Sequence, residues 1–244
     1  MKELLLTNLR RRFNDETGAS LFELLVVVAI ITIMSTVSIF YFSGNSRMFK
    51  PDEESLKLID LLQEARQRSL TQRESIRVEI DLTDNIARII DENTPTTDTD
   101  DKKIREITLY PAVDIKLNSQ PPDITTYPPD TLAAQAAAFQ ISVYPASVTH
   151  NVCTLRFMRD GTVFNAGTNP TANGATLTSA TLFIWSPKLN STTQSDFARA
   201  ITIVGTTGSM KLWEYNRTST DANKWKDSRR TGVYGTTGSA TPTP

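Results

Sequence analysis

The stretch GASLFELLVVVAIITIMSTVSIFYF, residues 18–42, decides how this chain is organised. Its apolar run begins at Leu21 and is long enough to cross a bilayer, which takes about 20 residues in a helix. Glu23 is the one charged side chain in that run. A carboxylate in the middle of such a helix costs about 2.5–3.5 kcal/mol. We therefore expect Glu23 to have a function; an ordinary membrane anchor that tolerates an acid near its end is the alternative.

A short basic leader, residues 1–18, precedes the run. Its positive charges favour an amino terminus in the cytoplasm and place the rest of the chain on the far side of the membrane. A secretory signal would be cut after the apolar run, where residues 41–45 offer only a poor cleavage site. Here the small residue, Gly18, comes before the run. The basic residues of the leader are Lys2, Arg10, Arg11 and Arg12.

This order of basic leader, glycine and apolar run, with an acid five residues after the glycine, resembles the amino terminus of type IV pilins and type II secretion pseudopilins. The resemblance implies that a prepilin peptidase cleaves between Gly18 and Ala19 and methylates the new terminus at Ala19, where the family usually has phenylalanine. It also implies that Glu23 pairs with the terminal amine of a neighbouring subunit during filament assembly. Two costly buried charges then become one ion pair.

The rest of the chain predicts an α+β protein, in which a long amino-terminal transmembrane helix packs on antiparallel β-sheets. Pro51, followed by three acidic residues, is typical of a helix start, so either one helix kinks between residues 44 and 51 or two helices meet there. Beyond it, Leu58, Leu61, Leu62 and Ala65 recur at helical spacing and predict a helix laid on a core. The predicted regions are a leader at 1–18, a transmembrane helix at 19–50, an amphipathic helix at 51–75, a β-rich periplasmic head at 76–234 and a flexible tail at 235–244.

Residues 76–82 alternate apolar and charged side chains, which predicts a half-buried strand. A turn at 83–85 and a partner strand at 86–90 complete a hairpin. Long polar loops, expected to be mobile or variable surface, separate the later strands and favour antiparallel pairing. A short helix is expected at 132–139. Further strands are predicted at 104–109, 113–117, 141–144, 154–158, 162–164, 181–185, 200–204 and 210–215.

Three segments narrow the resemblance to GspH/FimT-type minor pseudopilins and minor pilins. They are LKLIDLLQEARQRSLTQRESIRVEID at 56–81, with the pair Ala65 and Arg66, then LRFMRDGTVFN at 155–165 and ARAITIVGTTGSMKLW at 198–213. The resemblance does not extend to the loops at 94–147. A major pilin closed by a disulfide is disfavoured because Cys153 is the sole cysteine. A major pseudopilin would be smaller and carry a compact calcium loop.

Candidate residues for catalysis or metal binding are few. His150 is the one histidine and lacks a partner motif, so a surface or loop position is expected. Cys153 is expected to be a small buried apolar residue at the start of a strand. Asp98, Asp100 and Asp101 could hold calcium, but a lone acidic loop is more often solvated. We therefore expect no enzymatic activity, no cofactor and no metal.

The chain has a net charge of −1, which by itself does not indicate nucleic acid. Its last part is locally basic, because five basic residues stand against Asp221 and Asp227 and two aromatic residues, Trp225 and Tyr234, lie among them. The segment is interpreted as a solvated tail, with DNA binding through phosphate attraction and base stacking as the alternative. The basic residues are Arg217, Lys224, Lys226, Arg229 and Arg230.

The sequence thus predicts a minor pilin or pseudopilin, a structural subunit of a type II secretion pseudopilus or a type IV pilus. A DNA-binding minor pilin of a competence pilus is the alternative. The expected partners are other pilin or pseudopilin subunits, prepilin peptidase and the inner-membrane assembly platform. The expected location is the inner membrane, with one pass and a periplasmic head, and then the filament. Whether the filament serves secretion, twitching or DNA uptake is left open.

Overall fold

The computed structural model describes residues 20–92, 100–111, 114–117, 119–131, 140–142, 150–167, 173–188, 191–220 and 222–228. The chain divides into two compact units, Met1–Ser46 and Arg47–Pro244. One helix, α1 (Leu21–Gln72), belongs to both. The predicted α+β class, with an apolar amino-terminal helix and antiparallel sheets, is confirmed.

Helix α1 continues through Pro51, so the alternative of two separate helices is wrong. Proline has no N–H to donate to the carbonyl four residues earlier, but the rest of the helical ladder persists on both sides of it. In the second unit, Leu58, Leu61, Leu62 and Ala65 are fully buried, as their spacing predicted. This face of the helix is part of the main core.

Eleven strands in the described residues form two antiparallel sheets. Sheet A has the order β3-β2-β1-β6-β5, with β7 paired to β6, and sheet B has the order β11-β10-β9-β8-β4. The strands are β1 (Ser75–Asp81), β2 (Ile86–Glu92), β3 (Lys102–Thr108), β4 (Asp114–Leu117), β5 (Gln140–Ser142), β6 (His150–Phe157), β7 (Val163–Phe164), β8 (Ala180–Lys188), β9 (Ser191–Val204), β10 (Ser209–Tyr215) and β11 (Trp225–Asp227).

The predicted hairpin is present, with every residue of β1 from Ser75 to Asp81 paired to one of β2. Its turn includes Asn85, whose φ of 55° is a left-handed conformation that asparagine tolerates. Strand β9 starts well before the predicted position, and β11 was not predicted as a strand. The short helix expected at 132–139 lies outside the described residues.

One apolar cluster joins α1 to the inner faces of both sheets. Sheet A contributes side chains such as Val78 and Leu155, and sheet B contributes side chains such as Leu182 and Ile201. Cys153 of β6 lies in this cluster as expected, and burial raises the pKa of its thiol to about 12. The alternate residues of each sheet point away from this core.

The prediction that β1 is half-buried is wrong, because all seven of its residues are buried. Arg77, Glu79 and Asp81, on the face away from the apolar core, are at most 1% exposed. Period-two alternation identified the inner face of the strand but could not show that other parts of the chain cover the outer face as well. The alternation reports polarity, and these polar side chains meet charged groups of the protein instead of water.

Candidate functional site

The first part of α1, Leu21–Ile39, is strongly apolar and exposed. These 19 residues have a mean hydropathy of 2.4, and none of them is buried within the protein. At 1.5 Å per residue the segment is about 28 Å long, close to the hydrocarbon thickness of a bilayer. The segment therefore has the length and composition of a membrane span, and its side chains are free to face lipid or other helices.

The hydroxyl groups of Thr32, Thr36 and Ser38 in this segment are satisfied by the helix itself. Thr32 donates to the carbonyl of Val28 at 2.7 Å, and Thr36 donates to the carbonyl of Thr32 at 2.8 Å. Ser38 does the same with Met34. Such bonds to the preceding turn remove the cost of placing a hydroxyl in an apolar medium. Glu23 is the one charged side chain of Leu21–Ile39.

Glu23 lies in the first turn of α1 and is exposed. Its backbone N–H donates to the Ser20 hydroxyl at 3.2 Å, which makes Ser20 the residue that caps the helix. Ser20 followed three residues later by Glu23 is the capping-box pattern. The positive end of the helix dipole favours a carboxylate at this place. Ser20 was not predicted as a helix cap, although its spacing from Glu23 is a sign of one.

Gly18 and Ala19, the expected cleavage and methylation positions, lie outside the described residues. Cleavage there would put the new amine directly before Ser20, at the same helix end as Glu23. Processing remains a prediction.

The Ala65 and Arg66 pair joins α1 to sheet B. Ala65 is fully buried, whereas Arg66 donates two hydrogen bonds, of 2.9 and 3.3 Å, to the carbonyl of Thr207 in the β9–β10 turn. The next residue, Gly208, has a φ of 59°, and a Cβ atom there would lie 2.3 Å from the carbonyl oxygen of Gly161. Only glycine fits at position 208, where the two turns cross. Ala65 and Arg66 therefore have a structural role, because they hold the end of the helix against this crossing.

A network of buried charges covers the outer face of sheet A. Glu92 accepts a hydrogen bond from Arg77 at 2.7 Å and from Arg156 at 2.9 Å. Arg77 also contacts Glu79 at 3.0 Å and Asp101 at 2.6 Å. Burial is the largest influence on Glu79 and raises the pKa of its carboxyl, although neighbouring arginines oppose that shift. Asp101, expected in a solvated loop, is instead an internal partner of Arg77.

His150 is buried at the edge of the same network, so the expectation of a surface position is wrong. Its Nδ1 lies 2.6 Å from an oxygen of Asp81 and 3.7 Å from one of Asp84. Potential ligand atoms of the three residues lie within 4.8 Å of one another. However, the same Asp81 oxygen accepts from Arg88 at 3.1 Å, and the other oxygen accepts from two backbone N–H groups. A guanidinium beside the oxygen opposes a metal cation, so the donor set fits a structural ion cluster better.

The residues of the basic segment near the carboxyl end lie in different environments. Arg217 contacts Asp123 at 2.5 Å, and Trp225 is only 3% exposed. Lys224 donates to the carbonyl of Arg217 at 3.3 Å, and Lys226 lies in strand β11. The ring of Trp225 is therefore not available for base stacking, and the segment up to residue 228 is not a solvated tail. Arg229 and Arg230 lie outside the described residues.

No protein-family model matches the chain, and no curated protein matches it. Among solved structures, the chain is similar to the minor pseudopilin EpsH from the Type 2 Secretion System of Vibrio cholerae. Identity is 12% over 67% of this chain and 95% of that chain, with a TM-score of 0.38. It is also similar to the type IV minor pilin FimU of Pseudomonas aeruginosa in two crystal forms. Identity is 16% in both, over 66% and 70% of this chain and 90% and 91% of FimU, with a TM-score of 0.36. A minor pseudopilin and a minor pilin are thus among the solved structures that this chain resembles.

Proposed function

We propose that this chain is a minor pilin or pseudopilin, a non-enzymatic structural subunit that assembles into a filament through α1. The observation that carries the proposal is the wholly exposed apolar segment Leu21–Ile39 with Glu23 in its first turn. The segment can lie in lipid before assembly and against other apolar helices afterwards. The second unit then forms the part that meets other subunits.

The proposed site of this function is the amino-terminal end of α1. Prepilin peptidase cleaves between Gly18 and Ala19, and the new amine of Ala19 is methylated. In the filament, the carboxylate of Glu23 pairs with the amine of a neighbouring subunit, so that neither charge is buried alone. The cap by Ser20 keeps the first turn helical and so holds the carboxylate at the end of the helix.

The proposed location before assembly is the inner membrane, crossed once. The leader keeps the amino terminus in the cytoplasm, and the second unit lies in the periplasm. The inner-membrane assembly platform extracts the subunit, and related pilin or pseudopilin subunits receive it.

Processing is tested by mass spectrometry of the chain isolated from cells with an active prepilin peptidase. The expected mature chain begins at Ala19. A chain that still begins at Met1 in such cells would refute the processing step.

The role of Glu23 is tested with Glu23→Ala and, as a matched control, Glu53→Ala, which removes an exposed glutamate from the same helix. We expect Glu23→Ala to insert into membranes at least as well as the unaltered chain, but to be recovered in sheared filaments at least tenfold less. Glu53→Ala should behave like the unaltered chain. Normal recovery of Glu23→Ala in filaments would show that the carboxylate has no part in assembly.

Arg217 pairs with Asp123 and Trp225 is buried, so neither supports the DNA-binding alternative. That alternative depends on the other basic residues of the segment, Lys224, Lys226, Arg229 and Arg230. A gel shift with the full chain in detergent micelles tests it, because phosphate contacts weaken steeply with salt. No shift at low salt removes this alternative.

A further inference from the structure

We draw no further inference here: the strongest candidate, the open groove between the end of α1 and the start of β10, which is lined by residues that include Gln63, Arg66, Leu70 and Met210, carries none because nothing in the structure shows what covers it.

Discussion

The outer faces of the two sheets are both buried, but by opposite chemistry. On sheet A the face carries buried ions, with Glu92 shared between Arg77 and Arg156. On sheet B it carries tryptophans, and residues 119–131 pack on them through Ile124 and Tyr127. A buried ion depends on each of its partners, because a lone charge in the interior is very costly. Apolar contacts are non-directional and roughly proportional to the area buried, so they do not depend on any one partner.

Two equally buried faces can therefore differ in what holds them together. The face of sheet A is fixed by short charged contacts that a different partner could not reproduce. Residues 119–131 are held on sheet B by the buried side chain of Ile124, by two exposed ion pairs and by a few hydrogen bonds that each involve a side chain. The outer face of sheet A therefore depends on its ions, and that of sheet B depends mainly on apolar burial.

The largest effect is expected from Glu92→Gln, which leaves Arg77 and Arg156 without their shared anion. Breaking a buried ion pair on one side costs about 3–5 kcal/mol, and the free energy of unfolding should fall by about that amount. Glu106→Gln is the matched control, since it breaks only the exposed pair with Lys103. Urea unfolding followed by circular dichroism measures both. A loss below about 1 kcal/mol for Glu92→Gln would show that the buried network does not hold sheet A.

Trp225→Ala should have the next largest effect. It tests whether apolar contacts hold the outer face of sheet B together. It removes a buried ring and the hydrogen bond to Thr126, and such truncations cost about 3–5 kcal/mol in a closed core. We expect the low end of that range, because β11 is a three-residue edge strand. Trp225→Phe should recover most of the loss. Equal losses in the two variants would mean that the hydrogen bond matters more than the ring.

The two faces should also respond to pH in opposite directions. Burial raises the pKa of Glu79, so its stabilising contribution is present below the ordinary pKa and is lost as pH rises through the folded value. At Asp123, burial is outweighed by hydrogen bonds from Arg217 and Ser195, which lower the pKa. Its contribution is present above the ordinary pKa and is lost as pH falls through the folded value.

Unfolding free energies of Glu79→Gln and Asp123→Asn, measured between pH 3 and pH 8, separate these contributions. Relative to the unaltered chain, Asp123→Asn should lose less stability on acidification, and Glu79→Gln should lose less stability as pH rises. Parallel pH profiles of the unaltered chain and both variants would contradict the prediction.

The smallest effect is expected from Asp130→Asn, which removes the exposed ion pair with Lys211. The expected loss is at most about 1 kcal/mol and should shrink in 0.5 M salt, where exposed pairs are screened. A double-mutant cycle with Lys211→Gln measures the pair directly. A coupling above about 2 kcal/mol that salt does not reduce would mean that this pair holds residues 119–131 as firmly as the buried ions hold the outer face of sheet A.

Local patterns predicted much of this architecture. The helical spacing of Leu58, Leu61 and Leu62 gave the buried face of α1, and the alternation after Ile76 gave the β1–β2 hairpin. The positions of His150 and Asp101 could not be predicted, because their partners lie 69 and 24 residues away and have no fixed spacing. The repeat PPDITTYPPD is visible in the sequence, but its contact with sheet B is not. Arg217, which binds Asp123, lies 94 residues further along the chain.

The apolar helix, the place of Glu23 in its first turn and the inner faces of the strands can be predicted from the sequence, because each of these follows from the spacing of neighbouring residues. The contacts on the outer faces of the two sheets cannot be predicted in this way, since they form between distant parts of the chain. There, Arg156 meets Glu92 across 64 residues of chain, and Trp225 meets the carbonyl of Thr126 across 99. The folding of the whole chain brings such partners together, and the polarity of a single strand does not reveal whether its outward side chains will find water or one another.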